Sequence, residues 1–265
     1  YHKVSKEVRH IPPRRKGGSG KRVLVVSPMC TGFTRVNKKR AGQEKERLLT
    51  VRCGEMVAGM SEAQRPDAMV LENVKEMLES KEWPRLVACM LGMMYTVTWA
   101  VLDASCVGVP HARSRVYAIF TKPGVDTDWL ERAWLLGKRA RCPLKSKLAG
   151  DEYSLVWYTT AVYNAKSKAK YGKCIFSNEE PYPSIRQPCR RKFSGQSAKQ
   201  YVPSELNAGG ADGFETCKEL TVDELLEVSG LHRGLIRPRS EPEAMKMIAN
   251  IVVPAAGAAA LRSII

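Results

Sequence analysis

Several patterns are missing from this chain, and each absence removes a class of function. Its eight cysteines, at 30, 53, 89, 106, 142, 174, 189 and 217, include no CxxC pair; the closest two lie fifteen residues apart, and only four His accompany them. That spacing fits none of the common zinc motifs, so no metal is expected. No secretory apolar segment opens the sequence, and 265 residues can close a core without disulfides, so free thiols in a soluble, intracellular protein are expected. No apolar run approaches the roughly 20 residues that span a bilayer, so no membrane partner is expected. Acidic residues are scarce: 43 Lys and Arg face 27 Asp and Glu, a formal charge of +16. An excess of that size points to a polyanion, and nucleic acid is the first candidate.

The charge is unevenly spread. Residues 1–22 carry eight Lys or Arg against Glu7 alone, and residues 138–200 carry fourteen against four acids. Residues 1–21, with Pro-Pro, Gly-Gly and a basic run but no sustained period, read as an arm or linker. From Arg22 the pattern changes. "RVLVV" predicts a fully buried strand of a parallel sheet, and "DAMVL" at 67–71 a second. Between them, Leu49, Cys53, Met56, Val57 and Met60 fall at helical spacing and predict one apolar helix face. "WPRLVACMLGMM" predicts a helix, with strands following at "YTVTWAVLD" and "RVYAIFT". Alternating strands and helices predict an α/β fold with a mostly parallel sheet. Residues 22–122 form its first segment. Residues 123–215 break the pattern, with helical patches around "WLERAWLL" and "YSLVWYTTAVY". Residues 216–265 return to it: Thr221 caps a helix with Glu224 three residues on, and the chain ends in a turn and a small-residue helix.

Three stretches carry chemistry. Cys30 follows the first strand in "SPMCTGFT", Glu72 follows the second in "LENV", and "VPHARSR" sets Arg113 and Arg115 on alternate positions before another strand. Each alone is weak evidence, because a lone cysteine, a post-strand glutamate or an Arg-x-Arg pair is commonly structural. Strand carboxyl ends share one edge of a parallel sheet, where ligand sites gather, so a nucleophile, an acid and two cations are expected to meet there.

In this order the motifs resemble those of the cytosine-5 DNA methyltransferases. "SPMCTGFT" is similar to the family's Pro-Pro-Cys-Gln-Gly-Phe-Ser, "ENV" is its glutamate motif unchanged, and "GVPHARSR" is similar to Gly-Val-Pro-Gln-x-Arg-x-Arg, with His111 in place of Gln. "KELTVDELLEVSGL" matches its Leu-Thr-x-x-Glu segment, and "IANIVVP" resembles its closing Gly-Asn-x-Val-Pro with Ala249 in place of Gly. The resemblance covers about 22–122 and 216–265. It implies an α/β, Rossmann-like S-adenosylmethionine-dependent methyltransferase sheet with a small basic target-recognition region at 123–215. It further implies Cys30 as the thiolate that adds to C6 of cytosine, and Glu72 as a protonated carboxyl serving N3. Arg113 and Arg115 would hold the base, and Met29, Asn250, Ile251 and Val252 would touch S-adenosylmethionine. The base must leave the stack, at roughly a few kcal/mol, and phosphate contacts offset that cost. Arg35, Lys38, Lys39 and Arg40 after the cysteine, with Arg190, Arg191 and Lys192 in the recognition region, are the expected contacts to double-stranded DNA.

The resemblance also fails at one place. The family opens with Phe-x-Gly-x-Gly and an acidic ribose-binding residue before the cysteine strand, and the first twenty residues here hold neither. "GGSG" at 17–20 has no strand before it and no helix after it. A sheet about three strands short is therefore expected, marginally stable alone or completed by a second polypeptide. Two further readings stand beside methylation of DNA: a nucleic-acid-binding accessory protein without methyl transfer, and an RNA cytosine-5 methyltransferase, toward which "GFTR" at 32–35 leans. The expected location is the nucleus of a eukaryote, or otherwise the cytoplasm or nucleoid.

Overall fold

The structure, a computed structural model, describes residues 20–33, 43–150, 155–164, 167–185, 220–235 and 240–264. The chain divides into two compact units. The first comprises Tyr1–Leu102, Ser114–Gly137 and Ala256–Ile265, and the second Asp103–Arg113 and Lys138–Ala255.

The first unit is built on a four-stranded sheet of β1 (Val23–Val26), β2 (Ala68–Asn73), β3 (Thr96–Asp103) and β5 (Ser114–Thr121), in the order β1-β2-β5-β3. β1 and β2 run parallel, joined through α1 (Gln43–Ala58), as an αβ crossover requires. One sheet face carries Leu24, Val26, Met69, Leu71, Val116, Ala118 and Phe120. It packs against Val57 of α1 and against Leu86 and Met90 of α2 (Glu82–Leu91). α1 and α2 touch closely at Gly54, where a Cβ would lie 2.8 Å from Leu86 Cδ1 and 3.3 Å from Cys89 Sγ. On the opposite face Trp129, at the head of α3 (Trp129–Gly137), is fully buried; its Nε1 donates to the Tyr117 carbonyl at 3.0 Å, and the two rings meet edge to face.

Four expectations change here. β1 is not fully buried: Leu24 and Val26 pack on the core, while Val23 and Val25, on the opposite face, are 37% and 55% exposed. The sheet is mixed, with β5 antiparallel to β2. The short connection from β3 to β5, residues 104–113, holds a 3-10 turn and a two-residue strand in place of a crossover helix. The buried stripe of α1 is Gln43, Thr50, Val51, Gly54 and Val57, rotated from the apolar face expected, because the close approach of α2 selects the small Gly54. Beyond these four, the expectation about membrane-spanning length also changes. Glu243–Leu261 is long and apolar enough to cross a membrane, with a mean hydropathy of 1.6. It is divided between α5 (Glu241–Ala249) and α6 (Pro254–Leu261), and Ala244, Ile248, Ala256 and Ala260 are buried.

The second unit holds β4 (His111–Ala112), which pairs in parallel with β8 (Tyr182–Pro183), and a hairpin of β6 (Leu155–Asn164) and β7 (Ser167–Ser177). "YSLVWYTTAVY" is thus a strand and not the helical patch its spacing suggested. Val156, Trp157, Tyr158, Thr159, Thr160 and Val162 are β-branched or aromatic, and cross-strand pairing with β7 overrides the weak helical period. The unit's core joins Leu144, Leu148, Tyr182 and Ile185 to Leu225, Leu226 and Ile248. α4 (Val222–Val228) begins with the expected capping box, the Thr221 hydroxyl accepting from the Glu224 amide and the Glu224 carboxylate from the Thr221 amide at 2.7 Å.

Candidate active site

A constant offset of 45 residues organises the site in the first unit. The parallel register pairs Val23 with Ala68 and Val26 with Leu71. One step further the same offset sets Ser27 against Glu72, and the Ser27 hydroxyl donates to Glu72 Oε2 at 2.6 Å. The next step sets Pro28 against Asn73, whose Nδ2 donates to the Pro28 carbonyl at 3.2 Å, while its Oδ1 accepts from the Val74 amide. The stretch leading to Cys30 is therefore tied, residue by residue, to the "LENV" stretch.

Cys30 opens a tight turn, its carbonyl accepting from the Phe33 amide at 3.0 Å, with buried Phe33 anchoring the turn in the core. Gly32 is needed in that turn: a Cβ there would lie 2.9 Å from the Gln43 carbonyl. Arg47 donates through Nε to the Gly32 carbonyl at 2.7 Å, pinning the turn to α1. The Cys30 side chain is partly exposed. Burial pushes the Cys53 thiol up to about 11, and it also raises that of Cys89. Those two sulfurs stay protonated and unreactive near neutral pH.

Arg115 reaches the site because β5 is antiparallel. Its amino end lies where β1 and β2 have their carboxyl ends, with Val116 opposite Asn73 and Tyr117 opposite Glu72. Arg115 Nε lies 3.3 Å from Glu72 Oε1, in a pair whose side chains are only 13% and 8% exposed, and its Nη1 donates to the Ser114 carbonyl. Both carboxylate oxygens of Glu72 thus have a donor or cation beside them.

Arg113 belongs to the second unit. It is 2% exposed, and its Nη2 donates to the Ile251 carbonyl at 2.8 Å. That bond joins two stretches singled out in the sequence, "VPHARSR" and "IANIVVP". In the same unit His111, fully buried, accepts from the Ile185 amide through Nε2 at 3.2 Å, which places its ring proton on Nδ1. Asn250 is exposed and donates to the Lys246 carbonyl, and Ile251 and Val252 are partly exposed. Met29, beside Cys30, is 52% exposed. Arg35, Lys38, Lys39, Arg40, Arg190, Arg191 and Lys192 lie outside the described residues. Among the described residues no cluster of His, Cys, Asp or Glu is arranged to hold a metal.

Two site residues were quoted in the sequence without a role, Ser27 and Asn73. Aligning "VLVVSP" with "AMVLEN" in parallel register would have found both. The family model for C-5 cytosine-specific DNA methylase matches residues 19–265. The chain belongs to that family. These methylases use S-adenosylmethionine as methyl donor, and the chain is by family a DNA cytosine-5 methyltransferase. This methylase is similar to the type II methyltransferase M.HgiDI of Herpetosiphon aurantiacus, 27% identical over 87% of the chain and 68% of the relative. It is also similar to the type II methyltransferase M.HindV of Haemophilus influenzae, 24% identical over 87% of the chain and 70% of the relative. Its fold is similar to that of the S. pombe Dnmt2 methyltransferase, with a TM-score of 0.58 at 14% identity over 97% of this chain and 81% of that one.

Proposed function

We propose that the chain methylates C5 of a cytosine flipped out of double-stranded DNA, through a covalent bond between Cys30 Sγ and C6. The observation that carries this reading is the tie between the cysteine and glutamate stretches: Ser27 to Glu72, Asn73 to Pro28, and Arg115 to Glu72. A core thiol needs none of these contacts. Cytosine C5 becomes nucleophilic once a thiolate adds at C6, and the electron density pushed onto the ring is relieved at N3. Glu72, at the carboxyl end of β2, serves N3 with a proton or hydrogen bond. Arg115 orients Glu72 and offers positive charge to the thiolate and the base, and Arg113 braces the Ile251 backbone in the second unit. S-adenosylmethionine supplies the methyl group to C5, after which loss of the C5 proton expels Cys30.

The exposed thioether of Met29 at the end of β1 fits an apolar contact to that cofactor, with Asn250, Ile251 and Val252 as further contacts. The remainder of its site is proposed to come from polypeptide packed along the edge of β1 that no described strand pairs with, beside the exposed Val23 and Val25; a second chain is one source. The net charge of +16 supports phosphate contact, with Arg35, Lys38, Lys39, Arg40, Arg190, Arg191 and Lys192 as its proposed members.

The test is a duplex carrying 5-fluorodeoxycytidine, incubated with S-adenosylmethionine. Fluorine at C5 cannot leave as a proton does, so the adduct persists as a band stable to denaturation. We expect it with wild type and Cys53→Ser and not with Cys30→Ser. Trapping of a fluorocytosine RNA in preference to the duplex would move the reading to RNA. A protein that binds duplex DNA but traps neither, alone or with a polypeptide supplied to complete the cofactor site, would be an accessory binder.

A further inference from the structure

We infer that Ser27 is a positioning residue for methyl transfer: its hydroxyl fixes the orientation of the Glu72 carboxylate toward the base. The inference rests on the function proposed above and adds a residue that the resemblance to the family did not assign a role.

Each of the two Glu72 oxygens has a side chain beside it. Oε1 faces Arg115 Nε at 3.3 Å, a long single-armed contact, since the Arg115 Nη1 is engaged with the Ser114 carbonyl. Oε2 accepts from Ser27 at 2.6 Å, the shorter of the two contacts. A carboxylate held by one long contact alone can turn about its terminal torsion, which is broad for an sp³–sp² bond. A second donor on the other oxygen removes that freedom. The donor is itself placed by the backbone, because Ser27 continues the parallel register of β1 with β2, and Pro28 after it restricts Ser27 to extended conformations. The Asn73 bond to the Pro28 carbonyl holds the next residue in the same register.

Ser27 also differs from a structural serine in its exposure. Ser27 is an exposed residue, whereas Glu72 is 6% exposed. Truncating Ser27 to alanine opens no core cavity, so the folded state survives the substitution. A hydroxyl can donate to the carboxylate and can also rotate to accept from a protonated carboxyl, so it keeps Glu72 in place in either protonation state. Alanine can do neither, and threonine can do both in the extended backbone required before proline.

The experiment compares wild type, Ser27→Ala and Ser27→Thr on a duplex with 5-fluorodeoxycytidine in place of every deoxycytidine, so that no recognition sequence need be known. Trapping rate, dissociation constant for the duplex and melting temperature are measured for each. The expected result is a loss of about tenfold or more in the trapping rate of Ser27→Ala, the usual scale for a hydrogen bond to a charged group. DNA affinity stays within error, the melting temperature falls by no more than the few degrees that one lost hydrogen bond to a carboxylate allows, and Ser27→Thr recovers most of the rate. Ser27→Ala trapping within twofold of wild type overturns the inference and leaves the proposed function standing. Equal losses of rate, affinity and melting temperature in both variants also overturn it, by making the role structural. A wild type that binds the duplex but does not trap it, alone or with a polypeptide supplied to complete the cofactor site, sinks the proposed function, and the inference with it.

Discussion

Arg115→Met is the most direct probe of how the site is held together, because it keeps the aliphatic stem and deletes the charge. Arg115 and Glu72 form a pair whose side chains are 13% and 8% exposed. Removing one partner of a buried pair costs about 3–5 kcal/mol, because the remaining charge stays desolvated. Here the contact is single-armed at 3.3 Å and Ser27 still donates to the other oxygen, which lowers the expected cost to about 2–3 kcal/mol. Adding Glu72→Gln removes the stranded charge at nearly constant volume. The double variant is therefore expected to recover at least half of the loss, a non-additivity characteristic of groups in contact. Urea unfolding of wild type, both single variants and the double variant measures this. An Arg115→Met variant within about 0.5 kcal/mol of wild type would show that the pair is solvated. A double variant whose losses simply add would show that the two residues do not act on each other. Either result removes the electrostatic argument for the site.

Other perturbations test other parts of the fold. Glu82 is fully buried at the start of α2, and neither carboxylate oxygen has a hydrogen-bond partner among the described residues, so Glu82→Met is expected to raise stability by about 1–2 kcal/mol in urea unfolding. Gly54→Ala gains about 1 kcal/mol of helix propensity but drives a methyl against buried Leu86 and against Cys89. The net result is expected to be a loss of about 1–2 kcal/mol, and the effect of Gly54→Ala changes sign when it is measured against Leu86→Ala alone, where the clashing side chain is gone. The Cys53 thiol, at about 11 in the folded protein against 9.0 as its ordinary value, favours the folded state while protonated. That contribution, about 2–3 kcal/mol, is complete below pH 9 and is lost as pH rises toward 11. Cys53→Ala should flatten this alkaline limb, although burial of Tyr95, whose hydroxyl is raised to about 12, leaves a residual slope at higher pH. Thr221→Ala removes one half of the α4 capping box and is expected to cost about 1 kcal/mol, read as a shift in melting temperature.

The candidate residues were legible in the sequence as residue types in a fixed order, and the structure brings two of them, Glu72 and Arg115, together. Cys30, Glu72 and the two arginines stand beside strand ends that hydrophobic runs mark, and the runs "DAMVL" and "RVYAIFT" became β2 and β5, with the described core packed on them. The Thr221 cap was legible for the same reason, since a capping box is local. What tertiary structure alone decided is direction and partnership. A hydrophobic run does not say which way its strand points, and only the antiparallel setting of β5 carries Arg115 to the edge where Glu72 ends. Nor does it say whether both faces of a strand are covered: "RVLVV" reads as fully buried, yet β1 leaves Val23 and Val25 exposed. "YSLVWYTTAVY" has a helical spacing that pairing with β7 overrules, and Arg113 and Arg115, two residues apart, belong to different units with different partners. Side-chain identity is local information. Strand pairing is a contact between distant segments, and it set both the Ser27–Glu72 bond and the reach of Arg115.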